Sequence, residues 1–259
     1  MTGPSEHLFR SEAGRIVATL TRIFGVHNLA LAEDGVQDAF CRALEVWKYS
    51  GVPENPSAWL MATATNRALD VLRRERTAHT SAPELGRLLD SERTLAPTVE
   101  EPFTENSIQD DQLRMMFSCC SPRLTQVTQV ALILHLLCGF SADEVADVFA
   151  SRHASIEKRI MCAKKMLATS KKLFDVAIGD EFTRRLPAVH HALYFLFNEG
   201  HHGASSITAV GAELCQEAMR LTAMLLEHPL GKTPATYALA ALMRFDTSRL
   251  PTRSMHQGT

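Results

Sequence analysis

Apolar residues recur along this chain at three- and four-residue spacing, the period of helices buried on one side. Phe9, Ala13, Ile16, Val17, Leu20 and Phe24 form one stripe and predict a helix from about His7 to Phe24. Val36, Phe40, Ala43, Leu44 and Trp47 form a second, in a helix over about Leu31–Trp47. The run SGVPENPS then interrupts, because Gly51, Pro53 and Pro56 oppose helix. A third helix is expected from about Ser57 to Arg76. Residues 80–108 hold Pro83, Pro97 and Pro102 with little periodicity, and predict a linker.

Helices resume at Asp111 and pause at Pro122. The apolar stretch Val130–Cys138 ends at Gly139, a C-cap residue type. Ser141-Ala142-Asp143-Glu144 has the form of a capping box, which predicts a short helix with Val145, Val148 and Phe149. A turn of about four residues leads to Ser155–Leu167, striped by Ile156, Ile160, Ala163 and Leu167. Short helix, tight turn and longer basic helix make a helix-turn-helix pattern. Two further helices are expected over Leu186–Phe197 and Ile207–Glu227, separated by a polar Asn198–Ser206 loop. A third covers about Pro234–Phe245, before a frayed PTRSMHQGT end. No strand-like alternation persists, so the fold class is all-α.

Length and composition narrow this picture. The chain has 259 residues, enough for about two compact domains. With 46% hydrophobic and 22% charged residues it can bury a core, which excludes wholesale disorder. The longest apolar run, Val130–Cys138, is far shorter than the roughly 18 residues of a membrane span and contains His135. MTGPSEHLFRSEAG lacks the basic start and apolar stretch of a signal peptide, so a cytoplasmic location and no membrane partner are expected. The cysteines at 41, 119, 120, 138, 162 and 215 form no Cys-x-x-Cys pair and read as buried reduced thiols.

The formal charge of −2 conceals a strong asymmetry. Glu84 to Asp111 carries eight acids against Arg87 and Arg93, a net of −6. Arg152 to Lys172 carries seven bases against Glu157, a net of +6. On the basic helix, Ser155, Lys158, Arg159 and Cys162 fall at i, i+3, i+4 and i+7, opposite the apolar stripe. That spacing lays polar donors into a DNA major groove, with Lys164, Lys165, Lys171 and Lys172 at phosphates. The bland alternative is a solvated lysine-rich face.

The third helix has a comparable face of Thr63, Asn66, Arg67, Asp70 and Arg74, with Arg73 and Arg76 beside it and Trp59 at its head. Amides, guanidiniums and an exposed ring suit single-stranded DNA. Alternatively Trp59 anchors the core and the charges only confer solubility. Asp34, Gln37, Asp38 and Arg42 form a polar face on the second helix, fit for a basic protein surface or for solvent. His190, His191, Glu199, His201 and His202 invite a metal reading. There is no His-Glu-x-x-His, and adjacent helical residues point about 100° apart, so no metal ligand is assigned. Neither a Gly-x-Ser-x-Gly, a P-loop nor a Gly-x-Gly-x-x-Gly occurs, so no catalytic residue, cofactor or enzymatic activity is expected.

Taken in order, these segments resemble the extracytoplasmic-function (ECF) branch of the sigma-70 family of bacterial transcription initiation factors. LAEDGVQDAFCRALEVW followed by NPSAWLMATATNRALDVLRRE resembles sigma region 2. LRMMFSCCSPRLTQVTQVALILHLLCGFSADEVADVFASRHASIEKRIMCAKKML resembles region 4. MMFSCCSP and ALYFLFNEG resemble the subgroup with a C-terminal, tetratricopeptide-like helical extension, here shortened or diverged. The resemblance implies region 2 at 1–79, an acidic linker at 80–110, region 4 at 111–175 and the extension at 176–259. It implies that Asp34, Gln37, Asp38 and Phe40 grip the β′ clamp helices of core RNA polymerase. It sets Asn66, Arg67, Asp70, Arg73 and Arg74 along the melted −10 strand, with the Lys48–Asn55 loop holding an extruded base. Ser155, Lys158, Arg159 and Cys162 would read the −35 duplex. Core polymerase, its β flap and promoter DNA are the implied partners, together with an anti-sigma factor or self-regulation by the extension.

Two features depart from the family pattern. The helix-turn-helix turn usually carries Gly, an aliphatic residue and a capping Ser, where this chain has Ala150, Ser151 and Arg152. A strained turn and a missing cap are expected. The extension has Gly200-His201-His202 where the family has Gly-Tyr. A helix-turn-helix regulator that never meets polymerase, and a metal-dependent enzyme built on His190–His202, are the alternatives.

Overall fold

A computed structural model describes residues 4–79, 108, 110–169, 179–202 and 209–248. Among them there are ten α-helices, two short 3-10 turns and no strand. The all-α expectation holds. Helices α1 (Pro4–Phe24), α2 (Leu29–Ser50) and α3 (Pro56–His79) form the N-terminal part. Ile16, Val17 and Leu20 of α1 pack with Ala32, Val36 and Ala39 of α2 and with Leu60 and Ala64 of α3. The break between α2 and α3 falls at 51–55. Gly51, at φ 77°, sends its N–H to the Trp47 carbonyl. Pro56 does not block helix but opens α3, because a first helical position needs no N–H donor, and Asn55 caps the end by accepting from the Ala58 N–H at 3.0 Å.

The middle part comprises α4 (Asp111–Cys119), α5 (Gln126–Leu137), α6 (Ala142–Val148) and α7 (His153–Ala168). Asp110 caps α4 and Thr125 caps α5. Along α5, Val130–Leu134, Leu136 and Leu137 are all buried, so this helix has no solvent face at its centre. α1, α4, α6, α7 and α8 all lie against it. Gly139, at φ 71°, ends it as expected, and the Phe140 N–H reaches back to the Leu134 carbonyl at 3.1 Å. The linker expectation falls at residues outside those described, apart from buried Ile108 and the capping Asp110. Lys171 and Lys172 and the frayed end also lie outside them.

The C-terminal part consists of α8 (Asp180–His202), α9 (Ala209–Glu227) and α10 (Pro234–Ser248). The sequence expectation of a loop over Asn198–Ser206 is corrected here, since α8 runs on to His202. The reason is packing. A Cβ on Gly200 would stand 2.5 Å from the Gly211 carbonyl oxygen and 2.9 Å from the Cys215 nitrogen, so the polar-looking stretch is a close crossing of α8 and α9. The thiol expectation is corrected in part. Cys119, Cys120, Cys138 and Cys215 are buried, and burial pushes the thiols of Cys120 and Cys215 up to about 12 and about 11. Cys41 and Cys162 are exposed, each on the polar side of an amphipathic helix. No described helix is long and apolar enough to cross a membrane.

Candidate nucleic-acid interface

The helix-turn-helix forms as its residues dictate. Ser141 Oγ accepts from the Glu144 N–H at 3.1 Å, and Glu144 Oε2 accepts from the Ser141 N–H at 2.8 Å. Burial raises the Glu144 carboxyl, but the Ser141 N–H and the Arg10 guanidinium outweigh it and hold the group below its ordinary value. The turn contains the one non-glycine residue with positive φ among those described, Ala150 at φ 45°. Its N–H bonds to Asp147 and that of Ser151 to Ala146, which locks the strained conformation. Arg152 occupies the cap of α7 without a side-chain hydrogen bond. The missing glycine and the missing cap of this turn therefore have the expected structural consequence. His153 joins α6 to α7 instead, with Nδ1 2.5 Å from Asp143 and Nε2 3.5 Å from Glu157.

Ile156, Ile160, Ala163 and Leu167 are buried, so the opposite side of α7 faces out. Lys158, Arg159, Cys162 and Lys165 are exposed and Ser155 is half-buried. Lys158, Arg159 and Lys165 form no ion pair with another described residue. Lys164 differs from its expectation. Rather than standing free for phosphate, its Nζ donates to Glu33 Oε1 of α2 at 2.6 Å.

On α3, Asn66, Arg67, Asp70, Arg73 and Arg74 are exposed along one side. Arg67 pairs with Asp38 of α2, and Arg73 lies 3.7 Å from Asp70. Thr63 is half-buried and its hydroxyl donates to the Trp59 carbonyl at 2.8 Å. Trp59 is not the exposed ring expected. It is half-buried, edge-on to Trp47 with centroids 5.4 Å apart, because the α2–α3 hairpin brings the two indoles together. The exposed aromatic nearby is Tyr49, 84% accessible beside Val52 at 62%, and Lys48 Nζ lies 5.5 Å above its ring. An aromatic just before a Gly/Pro break was the available sequence signal. Asp34, Gln37 and Asp38 are exposed on α2, while Phe40 is half-buried against the core.

The histidine cluster disperses. His190 Nε2 meets Thr236 Oγ1 at 2.9 Å, His191 Nδ1 meets the Pro187 carbonyl at 2.8 Å, and His201 and His202 face each other. No group of three or more His, Cys, Asp or Glu side chains gathers for a metal ion among the described residues.

Comparison with known proteins agrees with this geometry. Residues 8–78, covering α1 to α3, match the sigma-70 region 2 family, and residues 185–259 match a family of unknown function, DUF6596. The uncharacterized protein R00370 of Rhizobium meliloti (strain 1021) is 34% identical over 92% of this chain. The chain spans only 55% of that relative's length. The ECF RNA polymerase sigma factor SigK of Mycolicibacterium vanbaalenii is 26% identical over 56% of this chain and 70% of its own. No solved structure matches. Residues 8–78 thus carry the likeness to sigma-70 region 2, and 56% of the chain is similar to an ECF-type sigma factor.

Proposed function

We propose that this chain is a sigma factor that binds core RNA polymerase, directs it to promoters and assists melting at −10. No bond is made or broken by the chain itself. Residues 1–79 act as region 2, 80–110 as an acidic linker, 111–175 as region 4 and 176–259 as the extension. The observation that carries this reading is the exposed Lys158–Arg159–Lys165 surface, without an ion-pair partner among the described residues, on a capped helix-turn-helix, in the same chain as a sigma region 2 match.

In this reading Asp34, Gln37 and Asp38 present acid and amide groups to the β′ clamp helices, and Phe40 braces them from the core side. Asn66, Arg67, Asp70, Arg73 and Arg74 line the melted −10 strand. Tyr49 offers a ring for an unstacked base, an interaction worth about 1–3 kcal/mol. Trp59 and Thr63 support that face from within. Ser155, Lys158, Arg159 and Cys162 read base edges at −35, and Lys165 and Lys164 neutralise phosphates. The acidic linker passes near the active channel, where its charge mimics nucleic acid, and region 4 meets the β flap. The test is co-purification with core polymerase followed by run-off transcription. Duplex binding without polymerase association would make the chain an ordinary helix-turn-helix regulator instead.

A further inference from the structure

A cavity of about 190 Å³ opens where the turn between α4 and α5 meets the first turns of α8, lined by Cys120, Pro122, Gln129, Glu181, Arg184 and Arg185. It has room for about six water molecules at roughly 30 Å³ each, and is smaller than the pockets that take drug-sized ligands. Hydrogen bonds within the chain fix its walls. The Cys120 N–H donates to the Phe117 carbonyl at 3.1 Å, and the Leu124 N–H to the Ser121 carbonyl at 2.9 Å. Gln129 Nε2 donates to the carbonyls of Ser121 at 2.7 Å and Leu124 at 3.1 Å, which leaves Oε1 as its acceptor. Arg185 Nη1 donates to the Phe117 carbonyl at 3.0 Å and so ties α8 to the end of α4.

The charge on these walls is mainly positive. Arg184 is exposed and has no ion-pair partner among the described residues. Arg123 follows Pro122 in the turn, is exposed, and likewise has no ion-pair partner among them. Arg185 pairs with Glu181 through Nη2, but its Nε is buried without a hydrogen-bond partner. Buried polar groups are nearly always satisfied, so this N–H is a donor that the fold leaves to something outside it. Glu181 is engaged by Arg185, and Asp180 is the other acid in the first turn of α8. Cys120 adds no negative charge, because burial pushes its thiol up to about 12 although Arg185 pulls it the other way.

We infer that this cavity binds a small phosphoryl oxyanion, either free phosphate or the phosphoryl group of a small metabolite. Guanidinium forks match phosphate oxygens two at a time. Arg184 offers a whole fork, Arg185 offers Nε, and Arg123 borders the opening. A phosphoryl group carries a charge of about −1.5 to −2 at neutral pH, which the two guanidiniums outside the Glu181 pair balance. The positive end of the α8 dipole adds to the attraction, and Gln129 Oε1 accepts from a ligand O–H. Bound there, the oxyanion joins the first turns of α8 to the α4–α5 turn. No residue proposed to touch polymerase or DNA lines the cavity, so this inference stands or falls separately from the sigma reading.

Isothermal titration of the full chain tests this, with inorganic phosphate and glycerol phosphate as separate probes and ionic strength held constant with chloride. One saturable site is expected at millimolar concentrations or below. Arg184→Gln should weaken it about tenfold, the loss of charge-assisted hydrogen bonds to one guanidinium. Arg184→Lys, which keeps the charge and loses the fork, should bind between the two. Arg244→Gln removes an exposed guanidinium on α10 and should bind like the parent. Tighter binding of glycerol phosphate than of inorganic phosphate would support the site and assign it to a metabolite; equal or weaker binding of the ester would support it and assign it to free phosphate. Arg185→Gln also breaks the bond to Phe117, so should that variant fail to fold, the Arg184 series decides alone. The site is overturned if neither probe gives saturable heat or broadened phosphorus NMR lines, or if folded Arg184→Gln binds as tightly as the parent.

Discussion

Arg67 of α3 is ion-paired with Asp38 of α2. One residue belongs to the face proposed for the −10 strand, the other to the face proposed for polymerase. The two surfaces are thus contiguous, and a polymerase contact at Asp38 would release or reorient a guanidinium that the melted strand could take. Because both side chains are near half exposed, the pair contributes about 0–1 kcal/mol to stability. Asp38→Arg should leave the thermal midpoint within a few degrees of the parent while abolishing co-purification with core polymerase. Normal co-purification would remove Asp38 from the polymerase surface.

The turn before α7 should be improvable. Ala150 holds φ 45° where glycine carries no Cβ penalty. Ala150→Gly should stabilise the chain by about 0.5–1 kcal/mol, and Arg152→Ser should add about 1 kcal/mol by capping α7. Urea unfolding midpoints check both. A lower midpoint for Ala150→Gly would mean that unfolded-chain entropy outweighs the relief of strain.

Arg159 projects from the exposed side of α7 with no described ion-pair partner. Arg159→Ala should weaken −35-dependent transcription by the equivalent of about 1–3 kcal/mol if the guanidinium reads a base. Promoter preference measured on a randomised −35 pool should relax at one position. An unchanged preference would take Arg159 off the reading face.

Stability should fall in mild acid. Burial lowers the His135 imidazole below 6.5, helped by nearby Lys164 and opposed by the Phe140 carbonyl and Glu33; burial also lowers His190, helped by His191. The unfolded chain takes up protons below about pH 6.5 that the folded chain refuses, so this stability is present above that pH and is lost as pH drops through the depressed folded values. His135→Asn should flatten the decline in thermal midpoint between neutral and mildly acid pH. An identical slope in parent and variant would contradict the assignment to His135.

The helices were legible because each carries its own apolar stripe and punctuation, as at Gly51, Ser141 and Gly139. The end of α8 was not, because Asn198-Glu199-Gly200-His201-His202 has loop composition and its helicity depends on Gly200 meeting α9. The exposed side of α7 is legible opposite the buried Ile156, Ile160, Ala163 and Leu167, but the partners of its side chains are not. The bonds Arg67–Asp38 and Lys164–Glu33 join positions 29 and 131 residues apart, and no local period records such pairing. Likewise Trp59 stood at the head of a polar face, and only the α2–α3 hairpin reveals that Trp47 shields it.

The sigma function itself is tested most directly by run-off transcription with core RNA polymerase on a pool of promoter fragments, with the full chain added. A defined subset of fragments should yield transcripts, dependent on the chain, weakened with Arg159→Ala and lost with Asp38→Arg. Transcription indistinguishable from core polymerase alone would contradict it.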